Sequence, residues 1–195
     1  MFNELTFVES IQSNDIPFLG GIPYLPESMP WPCDSNGNPL LHLASLPAEF
    51  IATHLPYLEI NHKLVISIFS PYSCNDEYIE KAMNEGGKVI AYEPTKHPRN
   101  EHQNPITHSC QIIAHSNPGN DSDENGVAKI GGIPAWLQEE DSSGLIYALQ
   151  INNSRLNKAT PTHKGIFVGG IGYLLLKSKI PNQDTSAGTL VIQTT

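Results

Sequence analysis

"FLGGIPYLPE" at residues 18–27 and "KIGGIPAWLQ" at residues 129–138 repeat one phrase within a single chain. In each copy, Gly-Gly-Ile-Pro precedes an aromatic residue, a polar turn, a further glycine and a run typical of a β-strand. Proline holds the isoleucine before it in extended geometry, while glycine permits a positive φ or a close approach of backbone. The phrase therefore predicts a sharp turn into an extended segment at the start of each half of a duplicated fold.

The repeat extends beyond the shared phrase. The first copy continues to Gly37 and the run "NPLLHLASLP", and the second continues to Gly144 and the run "LIYALQIN". A third echo, Gly-Gly-Ile at 169–171, lacks the proline and leads straight into a strand. Neither copy has the glycine spacing of a nucleotide-binding loop, and each proline removes a backbone donor that a phosphate would need. The repeated phrase therefore indicates backbone shape and not phosphate binding.

Strands dominate the predicted secondary structure. Runs rich in β-branched and aromatic residues, bounded by turn residues, lie at 63–70, 87–93, 109–116, 144–151, 170–178 and 188–195. One helix is predicted in "NDEYIEKAMNEGG", with Asn75 or Asp76 as its cap and Gly86 at its end. A weaker helix in "LPAEFIATHLPYLE" is divided by Pro56. The connectors at 93–108 and 115–128 are polar and are expected to be exposed loops.

These patterns predict an α+β fold that is β-dominated, with one or more largely antiparallel twisted sheets and few short helices. We expect a single domain, 1–195, with pseudo-repeat halves of roughly 1–115 and 116–195. A chain of 195 residues can bury an adequate core without disulfide bonds. The cysteines at 33, 74 and 110 form no C-x-x-C pair, which favours a reducing compartment.

The N-terminus and the apolar runs bear on location. Glu4 and Glu9 stand where a secretory signal would carry positive charge. The longest nearly apolar run, at 166–176, is shorter than the roughly 20 residues of a membrane helix and contains several glycines. We therefore expect a cytoplasmic protein without a membrane partner.

The charge balance narrows the class of partner. The chain has 11 basic and 20 acidic residues, with a formal net charge of -9. Nucleic-acid binding needs clustered lysine and arginine, so nucleic acid is not expected as a ligand. The negative charge is suited to attracting a basic partner, and it also serves solubility.

A family resemblance is carried by the stretches "GGIPYLPESMPWPCDSNGNPLLHLASLP", "KIGGIPAWLQ", "LIYALQIN" and "VGGIGYLLLKS". Their order over residues 19–176 resembles the YwqG-like family, a family of bacterial domains mainly of unknown function. That family has a Gly-Gly-x-Pro-x-x-Pro opening, strands ending in Ala-Gln-Ile-Asn and Leu-Gln-Ile-Asp, and a late Gly-x-Gly-Tyr strand. This chain departs from the pattern at 44–47, where "ASLP" replaces Ala-Gln-Ile-Asn, so only the second copy keeps the glutamine, as Gln150. It is also shorter, with a compact middle.

The resemblance implies a β-rich α+β fold with internal duplication and no established enzymatic activity. Genes of this family often lie beside genes of secreted polymorphic toxins, and its members have been proposed as immunity proteins. For this chain, the resemblance implies an immunity protein that neutralises a cognate toxin or effector protein by direct binding.

Three sequence patterns bear on whether the chain has a metal site or a catalytic site. The loop 121–126, "DSDENG", has the opening of a calcium loop, but Gly132 stands at its twelfth position where an EF-hand has glutamate. Histidines 97, 102, 108 and 115 match no zinc spacing. No G-x-S-x-G elbow is present. We therefore predict no cofactor, no metal and no catalytic residues, with weak calcium binding at 121–126 left open.

An aromatic residue beside carboxylates is typical of protein interfaces, where aromatic anchors dominate and charge steers association. Trp31 and Trp136 follow the two copies of the phrase and are expected to pack in the core, but Trp136 is followed by an acidic run. The predicted partner-binding residues are Asp121, Asp123, Glu124, Trp136, Glu139, Glu140 and Asp141. The alternative hypotheses are a small-ligand or calcium-binding housekeeping domain, with a carbohydrate as another ligand, and an enzyme on an unrecognised scaffold.

Overall fold

The computed structural model describes residues 2–73, 75–123, 126–139, 142 and 144–195. The described residues contain twelve β-strands and three α-helices. The strands are β1 (Phe2–Glu9), β2 (Phe18–Gly20), β3 (Leu41–Pro47), β4 (Glu59–Ile60), β5 (Val65–Ser70), β6 (Gly87–Tyr92), β7 (Ser109–Asn117), β8 (Lys129–Ile130), β9 (Ile146–Asn152), β10 (Ile171–Leu176), β11 (Lys179–Ile180) and β12 (Asp184–Gln193). The helices are α1 (Ala48–His54), α2 (Tyr78–Asn84) and α3 (Asn153–Ala159).

Ten of the strands form a closed barrel in the order β1-β7-β2-β3-β5-β6-β12-β10-β9-β8, with β8 paired back to β1. Neighbouring strands in the barrel are antiparallel. β4 and β11 form a separate two-stranded parallel sheet. The predicted β-dominated α+β class with a largely antiparallel sheet is confirmed. The closure of that sheet is a feature that the sequence patterns did not reveal.

Each run predicted as a strand overlaps one of the observed strands β5, β6, β7, β9, β10 and β12. The first predicted helix is present as α2, and the second ends as α1 at His54, before Pro56. The patterns missed α3, which follows β9 without a turn. Its start is marked by Asn152, whose side chain accepts a hydrogen bond from the backbone N–H of Arg155. None of the described helices is long and apolar enough to cross a membrane.

The strands of the two halves of the chain occupy equivalent positions in the barrel. If β1, β2, β3, β5 and β6 are exchanged with β7, β8, β9, β10 and β12, the neighbours around the barrel are unchanged. β3 runs directly into α1, and β9 runs directly into α3. The expected boundary at residue 115 falls inside β7, so the topological repeat begins earlier, after the connector 93–108.

The core has an inner and an outer part. All ten barrel strands contribute to one apolar cluster, together with Ile51 and Leu55 around α1 and Leu156 of α3. Because side chains alternate along a strand, the opposite faces of β5 and β6 point out of the barrel. There they meet the loop after the first Gly-Gly-Ile-Pro, in a second cluster of Leu25, Met29, Trp31, Leu40, Val65, Phe69, Ile90 and Tyr92. The predicted core role of Trp31 is thereby confirmed.

Candidate functional site

The two Gly-Gly-Ile-Pro turns are each held by one polar side chain. In the first turn, Gln12 accepts a hydrogen bond from the Ile22 N–H at 2.9 Å and donates to the Ile22 carbonyl at 2.7 Å. In the second, Asp121 Oδ2 accepts from the Ile133 N–H at 2.8 Å. All the glycines of both turns have positive φ. A Cβ on Gly132 would lie 2.1 Å from Asp121 Oδ2, so this position needs glycine for space as well as for φ.

The carboxylate of Asp121 faces the interior of the protein. Its Oδ1 lies 2.9 Å from the Nζ of Lys129, whose side chain is 0% exposed while that of Asp121 is 9% exposed. The Lys129 ammonium also lies 5.1 Å from the centre of the Phe2 ring. A buried ammonium requires a paired carboxylate, because an uncompensated charge is costly away from water. Asp121 was predicted to face a partner, but the structure places its carboxylate inward, against Lys129 and the turn.

The same contacts bear on the calcium hypothesis. In the loop 121–126, Glu124 and Asn125 lie outside the described residues. Of the two carboxylates of this loop that the structure describes, Asp123 is exposed and Asp121 already serves Lys129 and the Ile133 N–H. Across the described part of the chain, no group of three or more His, Cys, Asp or Glu side chains is placed to hold a metal ion. A calcium ion at this loop would have to compete with a buried lysine for the Asp121 oxygens.

The segment after the second turn is hydrogen-bonded onto the outer face of β9, β10 and β12. Gln150 Oε1 accepts from the Ala135 N–H at 2.9 Å, and the hydroxyl of Tyr173 donates to the Ala135 carbonyl. Gln193 Oε1 accepts from the N–H groups of Leu137 and Gln138, and its Nε2 donates to the carbonyl of Glu139. The backbone from 135 to 139 is therefore fixed by side chains from three strands.

The corresponding face of the first half has a buried chain of hydroxyl groups. Ser45 Oγ lies 2.9 Å from His42 Nε2 and 2.6 Å from Ser67 Oγ, which lies 2.7 Å from the hydroxyl of Tyr92. His42 Nδ1 lies 3.2 Å from the carbonyl oxygen of Gly21, which can only accept. Nδ1 therefore carries the proton, Nε2 accepts from Ser45, and the chain of donors runs from Tyr92 through Ser67 to His42.

Burial keeps the buried row of hydroxyl groups and His42 uncharged and closes it to substrates. Burial lowers the pKa of His42 to about 4 and raises the pKa of Tyr92 to about 12. A serine beside a histidine is the usual pair for nucleophilic catalysis, but Ser45 and Ser67 are fully enclosed. The chain of hydroxyl groups therefore joins strands and holds the first turn, and no reactant can reach it.

The register places these two polar sets at equivalent positions. Ser45 pairs with Ser67 across β3 and β5, and Gln150 pairs with Tyr173 across β9 and β10. Val65 pairs with Tyr92 in the first half, and Ile171 with Gln193 in the second. The register also slips at equivalent places, next to His42 in β3 and next to Tyr147 in β9. Ser45 thus occupies the position of Gln150, which is the glutamine that the first copy lacks.

Apart from Asp121, the predicted partner-facing residues separate into three groups. Asp123 and Glu139 are exposed, and neither has an ion-pair partner among the described residues. Trp136 is half-buried, with its ring 4.4 Å from that of Tyr173 and 6.3 Å from that of Tyr147. Glu124, Glu140 and Asp141 lie outside the described residues.

Two exposed apolar residues that were not predicted adjoin this segment. Tyr57 is 58% exposed and Ile133 is 49% exposed. Their chain segments touch, because a Cβ on Gly131 would lie 3.2 Å from Leu55 Cδ2. Burial, followed by Asp121, Tyr173 and Tyr57, raises the pKa of Tyr147. We call the surface formed by Tyr57, Ile133, Trp136 and Tyr147 the Tyr57–Ile133 surface.

A shallow groove of about 520 Å³ adjoins Tyr57. Its lining includes the apolar residues Pro56, Leu58 and Pro181. Glu59 and Lys179, also in the lining, form an exposed ion pair at 2.8 Å. No sequence pattern indicated Tyr57 as a surface residue, because it stands in a turn whose exposure depends on how α1 packs against the second half.

A second groove of about 520 Å³ lies at the end of β1, beside Ile11, Gln12 and His108. Cys110 Sγ lies 3.4 Å from His108 Nε2, and His108 Nδ1 lies 3.9 Å from Glu9. This order of groups resembles a thiol nucleophile with its base, but Cys110 belongs to the inner core. Burial, followed by the charge of Glu9, raises the pKa of the Cys110 thiol, so the thiolate that reacts is disfavoured.

Two of the other clustered histidines, His102 and His115, bond to separate partners. His102 lies within hydrogen-bond distance of the carbonyl oxygens of Tyr72 and Asn104, and His115 bonds to Thr6 Oγ1.

No protein-family model matches the chain, and no curated protein is detectably similar to it. The resemblance to the YwqG-like family therefore stays a prediction from the order of motifs over residues 19–176.

Proposed function

We propose that this protein is a non-enzymatic binding protein that acts in the cytoplasm and neutralises a toxin or effector protein by direct contact. One observation carries the binding role: exposed Tyr57 and Ile133 lie on two chain segments that touch at Leu55 and Gly131, and half-buried Trp136 follows on the second of them. Interfaces draw most of their binding energy from a few such aromatic and apolar anchors. The immunity role is what the family resemblance implies.

The preorganised backbone at this surface supports the proposal. The segment that bears Ile133 and Trp136 is held at the turn by Asp121 and beyond it by Gln150, Tyr173 and Gln193. A surface that is already ordered loses little conformational entropy when a partner binds. The polar groups beneath the surface are used in bracing it, which favours a binding role over a catalytic one.

Charge supports a protein partner over nucleic acid. The net charge is -9, and the exposed carboxylates of Asp123 and Glu139 follow Asp121 and Trp136 in the chain. Carboxylates at the rim of an interface accelerate association with a basic protein and repel phosphate backbones.

We also infer that the two halves arose by duplication of one strand-turn-strand-helix unit. The exchange of halves that preserves the barrel order supports this inference. So do the equivalent turn clamps, Gln12 and Asp121, and the equivalent register slips in β3 and β9. On this basis, the second half has become the binding half, while the first half supplies Tyr57 from the end of α1.

The test is suppression of toxicity in cells. The product of the adjacent upstream gene is expressed alone, with this chain, and with the Ile133→Asp variant. We expect the wild-type chain to restore growth and the variant to restore it at least tenfold less in colony count, since an interfacial charge facing an apolar contact costs more than about 1.4 kcal/mol. The matched control is Ile11→Asp, which changes an equally apolar exposed residue on another surface. If a toxic product still kills with the wild-type chain present, the proposed function is wrong.

A further inference from the structure

The described residues expose large apolar side chains in two pairs, Val8 with Ile11 and Tyr57 with Ile133. The first pair lies within one short segment at the end of β1. The second pair lies on segments that are far apart in sequence and touch at Leu55 and Gly131. Ile133 is followed closely by Trp136, whose ring lies 6.3 Å from that of Tyr147. Tyrosine and tryptophan are the residues most enriched among interface anchors, so the second pair is the better docking surface.

The charges around the Tyr57–Ile133 surface select its occupant. Two lysines in this region are already paired, Lys129 with Asp121 and Lys179 with Glu59. Lys129 is also fully buried, so its charge is not offered to a partner. A basic partner would find the exposed carboxylates of Asp123 and Glu139.

The groove beside Tyr57 adds a second argument. The ion pair between Glu59 and Lys179 in its lining is exposed, and exposed pairs contribute little stability. A guanidinium or ammonium group from a partner can exchange with Lys179 at Glu59 at small cost. The same cation can also stack on the exposed ring of Tyr57. The apolar lining of Pro56 and Leu58 is suited to an aliphatic side chain on the same partner segment.

We propose that the Tyr57–Ile133 surface and its adjoining groove bind a cationic, amphipathic polypeptide segment of the partner protein. An aliphatic side chain of that segment lies between Tyr57 and Ile133. Its lysine or arginine residues face Glu59 and Asp123. This inference rests on the proposed function, since it names the partner chemistry for that same surface.

The test uses two synthetic peptides and needs no toxin. One is an amphipathic peptide of leucine and lysine only, and in the other glutamate replaces each lysine. Each is titrated into the full-length protein while backbone amide resonances are followed by NMR. We expect saturable shifts at 54–62 and 131–139 with the lysine peptide, and affinity at least about tenfold lower with the glutamate peptide. A higher salt concentration should weaken the binding of the lysine peptide selectively.

Variants locate the site. Tyr57→Ser and Ile133→Asp should each weaken the lysine peptide about tenfold, and circular dichroism verifies that each variant is folded. The control Val8→Ser/Ile11→Ser removes a similar apolar exposure and should bind as the wild type does. Equal affinity for both peptides, shifts centred on 8–12 and 107–109, or an absence of saturable binding would each overturn the inference.

The peptide test and the toxicity test fail separately. If growth is restored but the lysine peptide does not bind, the surface or its charge preference is wrong while the immunity role stands. If the peptide binds as expected but a toxic upstream product still kills, the surface stands and the immunity role is wrong.

Discussion

The outer faces of the two halves share one arrangement of strands, but they differ in how they are covered. In the first half, Leu25, Met29, Trp31 and Leu40 pack on β5 and β6, and the hydroxyl side chains of β3, β5 and β6 are buried. In the second half, the corresponding strand positions hold Gln150, Tyr173 and Gln193, and these larger side chains reach out to fix the covering backbone. Trp136 there is half-buried and Ile133 is exposed. The first face stabilises the barrel, and the second presents a braced surface.

The two tryptophans give the largest expected contrast in stability. Trp31 is buried, packs edge-on against Phe69 and donates from its indole nitrogen to the Leu40 carbonyl at 3.0 Å. Trp31→Ala should lower the free energy of unfolding by about 3–5 kcal/mol, because it leaves a cavity and an unpaired carbonyl. Trp136→Ala should cost only about 1–2 kcal/mol, since part of that ring is already in water.

Urea unfolding followed by far-UV circular dichroism measures both values. Phe50→Ala, which changes a partly buried aromatic residue of α1, serves as the reference for an ordinary packing loss. If Trp136→Ala costs as much as Trp31→Ala, the second face is as sealed as the first and the comparison between the halves is wrong.

The two turn clamps give the next contrast. Asp121→Ala removes the partner of a fully buried lysine and an acceptor of the Ile133 N–H, so we expect a loss of about 3–5 kcal/mol. Gln12→Ala removes neutral hydrogen bonds from the equivalent turn, for which we expect about 1–3 kcal/mol.

A double variant separates charge from turn geometry. Asp121→Ala/Lys129→Met removes the stranded ammonium as well, and should recover a large part of the loss seen with Asp121→Ala alone. Thermal and urea unfolding of the wild type, Asp121→Ala, Lys129→Met and the double variant completes the double-mutant cycle. Equal losses for Asp121→Ala and Gln12→Ala, with no recovery in the double variant, would show that the buried ion pair does not distinguish the halves.

The sequence predicted the features that depend on local chemistry. The Gly-Gly-Ile-Pro phrase predicted both turns because positive φ and a following proline are local demands. The strand runs were found because β-branched side chains suit a pleated surface. By contrast, Asp121 was assigned to a partner, because no local pattern shows that Lys129 lies buried above the Phe2 ring. Tyr57 was missed because its exposure is set by how α1 meets the second turn.

The closure of the barrel could not be derived for a related reason. It depends on β8 pairing with β1 through residues Asn3 and Glu4, in strands that are short or carry charged residues. Such pairings are long in sequence separation and leave little periodic signal. The repeated phrase was more informative, because identical phrases predicted equivalent strands even where the sequence pattern of each strand alone was weak.

Acid should weaken the first half through His42. Burial lowers its pKa from the usual 6.5 to about 4, so the unfolded chain binds a proton that the folded chain excludes. Stability from this group is therefore fully present above pH 6.5 and is lost as the pH falls toward 4, at up to about 1.4 kcal/mol per pH unit. The equivalent residue of the second half, Tyr147, has a raised pKa and stays neutral throughout this range.

Substitution of each residue isolates its part of the pH dependence. His42→Gln keeps a donor for the Gly21 carbonyl and an acceptor for Ser45 but removes the titration, so its stability should fall less steeply between pH 6.5 and pH 4 than that of the wild type. Tyr147→Phe should leave the wild-type slope unchanged. Urea unfolding across this range measures the slopes. If His42→Gln and the wild type lose stability in parallel, His42 takes up its proton within the folded barrel. The first face would then be open to water, and the distinction between a sealed half and a binding half would not hold.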